Sequence, residues 1–224
     1  MSIPDPFALT GPAREPASGK KAAALVIFLH GYGADGDDII GLEPHWQDIL
    51  PDTAFVSPHA PFPCEEAPYG RQWFGFRGRD EAAILAGTEL AARILSAFID
   101  RELAARSLAP DRLALVGFSQ GTMLSLHLGM RCEKQLAGIV GYSGSLIAPQ
   151  RLAEEIQSRP PVLLIHGDAD PLVPFAAMEQ AAKALRALGV EVATERRPGL
   201  PHAIDPTGLA RGGRFLADRV GPKR

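Results

Sequence analysis

Short apolar runs alternate with longer amphipathic stretches along most of this chain. A short apolar run that ends at a glycine, a proline or a polar turn is typical of a buried strand. Such runs predict strands at residues 22–29, 53–57, 113–117, 137–142, 162–166 and 190–195. In the last run, polar residues alternate with apolar ones, which indicates a position near the edge of a sheet.

The stretches between these strands carry apolar residues at helical spacing. They predict helices at residues 84–106, 120–131, 152–157, 175–188 and 209–219. Pro174 and Gly189 mark the two ends of the fourth helix, whereas Gly212 and Gly213 weaken the prediction of the last one. Because strands and helices alternate, we predict an α/β fold built on a mostly parallel central sheet.

The domain organisation is simple. We expect residues 1–20, which are rich in Pro and Ala, to form an N-terminal extended segment, and residues 21–224 to form a single domain. Residues 58–80 have neither a helical nor a strand period. Loops of this length are usually functional or disordered, and the two large aromatics Trp73 and Phe74 argue against disorder.

Composition excludes several classes of protein. A hydrophobic fraction of 46% and a net charge of −3 argue against disorder, and no run of Lys or Arg indicates a nucleic-acid partner. We find no apolar stretch that approaches about 18 residues, so no stable membrane insertion is expected. Cys64 and Cys132 predict neither a disulfide framework nor a metal site, and the N-terminus lacks a secretory pattern. We therefore expect a cytoplasmic protein with reduced thiols.

Candidate chemistry begins at residues 117–121, which form the motif Gly-Phe-Ser-Gln-Gly. An apolar strand runs into this motif and a helix runs out of it, which is the context of a nucleophile elbow. The alternative is an ordinary serine in a glycine-rich turn. The flanking strand and helix favour Ser119 as the nucleophile.

A serine nucleophile needs a general base, and after such an elbow the chain order is serine, acid, histidine. Three of the six histidines precede Ser119, His127 lies in the next helix, and His166 ends a strand before any suitable acid. Elimination leaves His202, in a loop after the 190–195 strand. A solvent-facing loop histidine is the alternative.

The acid should follow a strand's carboxyl end, where Asp168 and Asp170 both lie. We predict Asp170 as the residue that orients the base. Asp168 is expected to have the structural role of capping its own turn.

Backbone amides should supply the oxyanion hole. Gln120 follows the nucleophile, and Tyr32 in the glycine-containing loop at 30–33 is the second candidate, with Gly31 as the alternative. The acidic residues at 35–38 lack the distal Glu of a calcium loop, and we expect a polar turn that caps the next helix.

Residues 29–33, 117–121, 166–174 and His202 together resemble the phospholipase/carboxylesterase family of small α/β-hydrolases, which includes acyl-protein thioesterases and bacterial carboxylesterases. The resemblance covers roughly residues 20–220. It implies an α/β-hydrolase fold with helices on both faces of the sheet, no large cap domain, no cofactor and a small-molecule ester substrate. It also matches Ser119, Asp170 and His202 to the family triad.

The sequence departs from the family where Gly75 follows the Trp-Phe pair and where Tyr32 replaces a common Leu, so acyl length is the open question. We expect Trp73 and Phe74 to form an apolar wall for substrate, with Leu172 and Val173 opposite; alternatively, both aromatics only pin their loop to the core. Short to medium acyl esters are favoured. The alternatives are a lysophospholipase or acyl-protein thioesterase, a peptidase or amidase, and a non-catalytic binding protein on a hydrolase scaffold. A homodimer is also compatible with the sequence.

Overall fold

The computed structural model describes residues 8–221, which form a seven-stranded sheet and a separate two-stranded hairpin. The strands are β1 Ala13–Arg14, β2 Ala24–Leu29, β3 Thr53–Val56, β4 Phe62–Pro63, β5 Arg71–Gln72, β6 Leu113–Phe118, β7 Gly138–Tyr142, β8 Val162–Gly167 and β9 Val192–Arg197. Their order in the large sheet is β1-β3-β2-β6-β7-β8-β9, and only β1 is antiparallel to its neighbour. All six predicted strands are confirmed, with small shifts at their ends.

The burial of each strand follows its sequence pattern. Every residue of β2 is buried: Leu25, Ile27 and Leu29 pack into one apolar cluster, and Val26 and Phe28 into the cluster on the opposite face. Strands with continuous apolar runs therefore occupy the centre of the sheet. The half-exposed β9 lies at one edge, as predicted.

Helices cover both faces of the sheet. They are α1 Gly36–Ile39, α2 Glu81–Arg106, α3 Gln120–Arg131, α4 Leu152–Glu155, α5 Ala176–Ala187 and α6 Pro206–Val220, with 3-10 turns at Ile40–His45, Pro110–Arg112 and Pro149–Arg151. Helices α2 to α5 contribute to the cluster that contains Leu25, whereas α1 and α6 contribute to the cluster that contains Phe28. Among the described residues there is no large cap.

The glycine pair in α6 has a packing reason. A Cβ atom at Gly212 would lie 2.1 Å from the hydroxyl oxygen of Tyr142, and one at Gly213 would lie 2.7 Å from the Trp46 ring. The helix therefore approaches two buried aromatic residues more closely than a larger residue would allow. Close packing compensates for the low helical propensity of these positions.

Helix α2 is long and apolar enough to cross a membrane when judged by length and composition alone, which the sequence analysis did not anticipate. Its inward face, with Ala91, Leu95 and Phe98, packs in the core. Core helices of globular proteins pass the same test, so this helix is weak evidence for a membrane span.

Two short strands and one edge strand had no recognisable sequence pattern. Strands β4 and β5 form a hairpin inside the loop at 58–80, and β1 adds part of the predicted N-terminal segment to the edge of the sheet. Residues 1–7 of that segment and residues 222–224 lie outside the described part of the chain.

Candidate active site

Ser119 lies at a sharp turn between β6 and α3. Its backbone has φ 53° and ψ −115°, a conformation that non-glycine residues rarely adopt. A Cβ atom at Gly117 would lie 2.4 Å from the carbonyl carbon of Gly121, and one at Gly121 would lie 1.9 Å from the carbonyl oxygen of Leu29. Only glycine fits on both sides of Ser119. Strain of this kind concentrates at functional sites.

Asp170 and His202 are brought together from two loops. Oδ2 of Asp170 lies 2.7 Å from Nδ1 of His202, while Oδ1 accepts hydrogen bonds from the amides of Leu172 and Val173 at 2.8 and 2.9 Å. Burial opposes ionisation of the carboxyl group, but these hydrogen bonds outweigh it and hold the pKa of Asp170 below its ordinary value. The carboxylate is therefore charged where it meets the imidazole.

The His202 ring packs against Phe118, the residue before Ser119. The centroids of the two rings lie 4.9 Å apart. Among the described residues, Ser119 Oγ has no hydrogen bond to His202. Catalytic contacts of this type often tighten only when substrate binds.

Asp168 has a structural role, as predicted, and its contacts reach beyond its own turn. Asp170 caps the turn that follows it, and Asp168 accepts from the Gly199 amide at 2.6 Å and from the Arg196 guanidinium at 2.7 Å. The hydrogen bond from Arg196 lowers the pKa of Asp168. Gly199 lies in the loop that carries His202, so its hydrogen bond to Asp168 holds that loop in place.

A second ion pair fixes the other end of the same loop. Arg197 donates to both carboxylate oxygens of Asp205, with the shortest contact at 2.8 Å, and Asp205 also caps helix α6. Bidentate pairs of this type restrict both partners. His202 therefore lies on a short segment that is anchored on both sides.

The predicted oxyanion donors lie on the two sides of Ser119. Within the described part of the chain, the amides of Tyr32 and Gln120 donate to no acceptor, and neither does that of Gly31, the alternative donor. The Gly33 amide is occupied by the carbonyl oxygen of Arg71 at 2.9 Å. A Cβ atom at Gly31 would lie 3.4 Å from the Ser119 Cβ, so this loop lies directly against Ser119.

His30, which precedes Ser119 and was not predicted as a base, anchors the loop at 30–33. Its Nδ1 lies 2.8 Å from the carbonyl oxygen of Gly31, and its Nε2 accepts from the Ala60 amide at 2.9 Å. Burial lowers the pKa of His30, so the ring is neutral with its proton on Nδ1. In the sequence, this role of His30 is indicated only by its place at the start of the glycine-containing motif at 30–33.

Trp73 and Phe74 are buried, with exposures of 0% and 1%. The Gln120 side chain accepts from the Trp73 amide at 2.8 Å and donates to the Phe74 carbonyl at 2.7 Å, and the Trp73 indole donates to the His30 carbonyl at 3.1 Å. These contacts support the interpretation that both aromatics pin the loop to the core. Trp73 has no exposed surface to offer a substrate.

The other predicted substrate residues are accessible. Leu172 is 71% exposed, and Val173 is half-buried on the turn that carries Asp170. Tyr32 packs its ring on Phe76 at 5.6 Å, and burial raises the pKa of its hydroxyl group.

Two apolar grooves bear on the predicted site. One, of about 290 Å³, is lined by Gly31, Phe118 and Ile204 among others, and therefore touches the loop at 30–33 and residues close in sequence to Ser119 and His202. The other, of about 580 Å³, lies between α2 and the segment after β7, with Leu85, Leu146 and Ile147 in its walls.

One possible cation site lies outside this centre. Ligand atoms of Asp35, Asp37 and His59 lie within 4.8 Å of one another. Asp35 already accepts from two amides as the N-cap of α1, so the predicted capping turn is confirmed. Exposed acidic groups of this kind are common without an ion.

Comparison with known proteins gives a consistent picture. The model of the phospholipase/carboxylesterase family matches residues 15–219. "Acyl-protein thioesterase 1" of Gibberella zeae is 30% identical over 89% of this chain and 92% of its own, and that of Schizosaccharomyces pombe is 34% identical over 72% and 75%. The crystal structure of esterase PE8 superposes with a TM-score of 0.90 at 43% identity, covering 94% of this chain and 99% of its own.

Proposed function

Because the chain belongs to the phospholipase/carboxylesterase family of hydrolases that act on ester bonds, we propose that it is a serine carboxylesterase with Ser119, His202 and Asp170 as its catalytic triad. The observation that carries the proposal is the 2.7 Å contact between Asp170 Oδ2 and His202 Nδ1, beside a strained elbow that presents Ser119. This is the arrangement of a general base and its orienting acid next to a nucleophile.

The geometry supports a two-step acyl transfer. Since the Asp170 carboxylate accepts the proton of His202 Nδ1, Nε2 is free to take the proton of Ser119 as Oγ attacks the ester carbonyl. The amides of Tyr32 and Gln120 stabilise the oxyanion, and each such donor is worth about 2.7–4 kcal/mol in a comparable enzyme. His202 then protonates the departing alcohol as the ester bond breaks. Water hydrolyses the acyl-enzyme by the same steps in reverse.

Paired substitutions test the triad. Ser119→Ala should abolish hydrolysis of p-nitrophenyl acetate. Asp170→Asn should lower kcat by about 10⁴, because it favours the wrong imidazole tautomer. Asp168→Asn is the matched control and should mainly lower the melting temperature. If the two asparagine variants exchange these effects, Asp170 is not the orienting acid.

For substrate, we propose short to medium acyl esters bound between the elbow and the exposed turn at Leu172 and Val173. The groove of about 290 Å³ that includes Phe118 and Ile204 borders the elbow and the segment after His202, and it supports a site of limited length beside Ser119. Each buried methylene contributes at most about 0.8 kcal/mol, so catalytic efficiency should rise with chain length only until the groove ends.

The second candidate is an acyl-protein thioesterase or lysophospholipase that takes long acyl chains. The names of the curated relatives favour it, and so does the larger groove of about 580 Å³ beside Leu146. Catalytic efficiency for p-nitrophenyl esters from acetate to palmitate, with a palmitoyl thioester in parallel, separates the two. Leu172→Ala should change the dependence of catalytic efficiency on acyl-chain length. The control is Ile49→Ala, because Ile49 is an exposed apolar residue that packs beside α6, and this substitution should leave the dependence unchanged.

We propose that the enzyme acts in the cytoplasm, without a cofactor and without a nucleic-acid partner. The net charge of −3 supports the absence of a nucleic-acid partner, and the free thiols of Cys64 and Cys132 support a reducing compartment.

A further inference from the structure

A second histidine lies against the carboxylate of Asp170. Nε2 of His166 is 2.9 Å from the carbonyl oxygen of Val173 and 3.2 Å from Oδ2 of Asp170. The His166 side chain is 1% exposed, and its ring packs edge-on against Phe175 at 6.1 Å. The proposed reaction makes no use of this buried imidazole. In the sequence, His166 stands out only because it precedes the loop that carries Asp168 and Asp170.

The neighbours of His166 determine where its proton lies. A carbonyl oxygen is only an acceptor, so Nε2 of His166 carries the hydrogen and donates it to Val173. The same N–H group lies 3.2 Å from Oδ2 of Asp170, a close electrostatic contact. Oδ2 accepts its hydrogen bond from His202 at 2.7 Å, and Oδ1 accepts from two backbone amides.

We propose that His166 is a positioning residue, which holds the Asp170 carboxylate and its turn in the orientation that His202 requires. The inference rests on the proposed function and acts through Asp170. The Nε2–H group of His166 holds the Val173 carbonyl, while the Val173 amide holds Oδ1 of Asp170, so the imidazole fixes the turn that orients the carboxylate. Without it, the Val173 carbonyl loses its partner and the turn that presents Asp170 to His202 loosens.

Charged and titratable groups on the neighbouring strands have partners of their own. On β9, Arg196 pairs with Asp168 and its guanidinium lies 5.8 Å from the centre of the Phe175 ring, while Arg197 pairs with Asp205. On β7, Tyr142 lies within the field of Asp205, and burial raises the pKa of its hydroxyl group. Substitution of His166 leaves these pairs in place, so a change in pH profile reports the contact between Asp170 and His202.

Two amide substitutions distinguish positioning from a general packing role. The side-chain nitrogen of glutamine is as many bonds from Cα as Nε2 of histidine, whereas that of asparagine matches Nδ1. His166→Gln should keep kcat within about threefold of the parent, and His166→Asn should lose about tenfold with little change in KM, as expected when one buried hydrogen bond to the Val173 carbonyl is removed.

The acidic limb of the kcat/KM profile reports protonation of the free enzyme's base. In His166→Asn it should move to lower pH, because a misplaced carboxylate stabilises the charged imidazole less. A general packing role would lower activity without moving the limb. Any of three results would overturn the proposal. They are equal turnover in the two variants, an acidic limb that stays at the same pH, and an acidic limb that moves to higher pH while turnover is unchanged.

Active sites in each preparation are counted by titration with a fluorophosphonate, which labels activated serines. If His166→Asn does not fold, His166→Gln decides alone: a tenfold loss per labelled site would overturn the proposal, since its amide supplies the same donor. Failure of the proposed function has a different signature, because the parent would then not be labelled or Ser119→Ala would remain active.

Discussion

The Gln120 side chain gives the sharpest test of how the active-site loop is held. It lies at the start of α3, is 0% exposed, and hydrogen-bonds the backbone of Trp73 and Phe74 at 2.8 and 2.7 Å. Gln120→Met keeps the length of the side chain and the backbone amide but removes both hydrogen bonds. Two buried backbone groups then lose their partners, at about 1–3 kcal/mol each.

The expected loss in the free energy of unfolding is therefore about 2–6 kcal/mol. For a chain of this size, about 1 kcal/mol corresponds to roughly 2–4 °C, so the melting temperature should fall by at least about 4 °C. Fluorophosphonate labelling should slow as well, because the loop at 73–80 is released next to the oxyanion loop.

The control for this experiment is Ser125→Ala, on the same helix. Ser125 Oγ donates to the Gly121 carbonyl at 2.7 Å, and its loss leaves no backbone group without its helical partner. If Gln120→Met melts within a degree of Ser125→Ala, the glutamine does not pin the loop and the account of Trp73 is wrong.

Two further predictions concern stability. Burial, with a smaller contribution from the charge of Arg131, lowers the pKa of His127 from 6.5 to about 4. As pH falls below 6.5, the unfolded state therefore binds a proton before the folded state does. The free energy of unfolding decreases between pH 6.5 and about pH 4 for this reason. His127→Gln should reduce the difference in unfolding free energy between pH 8 and pH 5, measured with urea, by about 2 kcal/mol, and an unchanged difference would refute this. Gly121→Ala, whose Cβ would lie 1.9 Å from the Leu29 carbonyl, should unfold the elbow and abolish labelling. A Cβ atom at Gly41 would have no neighbour within 4 Å, so Gly41→Ala should leave stability and labelling intact. If Gly121→Ala and Gly41→Ala behave alike, the packing argument is contradicted.

Sequence patterns predicted the central sheet because its strands are continuous apolar runs that end in glycine-rich turns. The same patterns placed Ser119 between strand and helix and placed Asp170 and His202 in the two loops that meet beside it. The α6 boundaries were less clear, since a glycine pair lowers helical propensity and only its contact with Trp46 and Tyr142 explains its presence.

The features that the sequence did not reveal depend on contacts between distant parts of the chain. Strand β1 is two residues long and exists because β3 lies beside it. Asp168 was assigned to its own turn because its partner, the Gly199 amide, lies 31 residues away. His166 was set aside as a base, and its contact with Asp170 depends on how the following turn closes.

The central claim is that Ser119 is an activated nucleophile served by His202, and one measurement tests it directly. The protein is incubated with a fluorophosphonate, and the adduct is located by intact mass and peptide mapping, with His202→Ala as the control. We predict one adduct per chain, on Ser119, formed rapidly in the parent and lost or greatly slowed in His202→Ala. An adduct on another residue, or rapid ester hydrolysis by a protein that is not labelled, would contradict it.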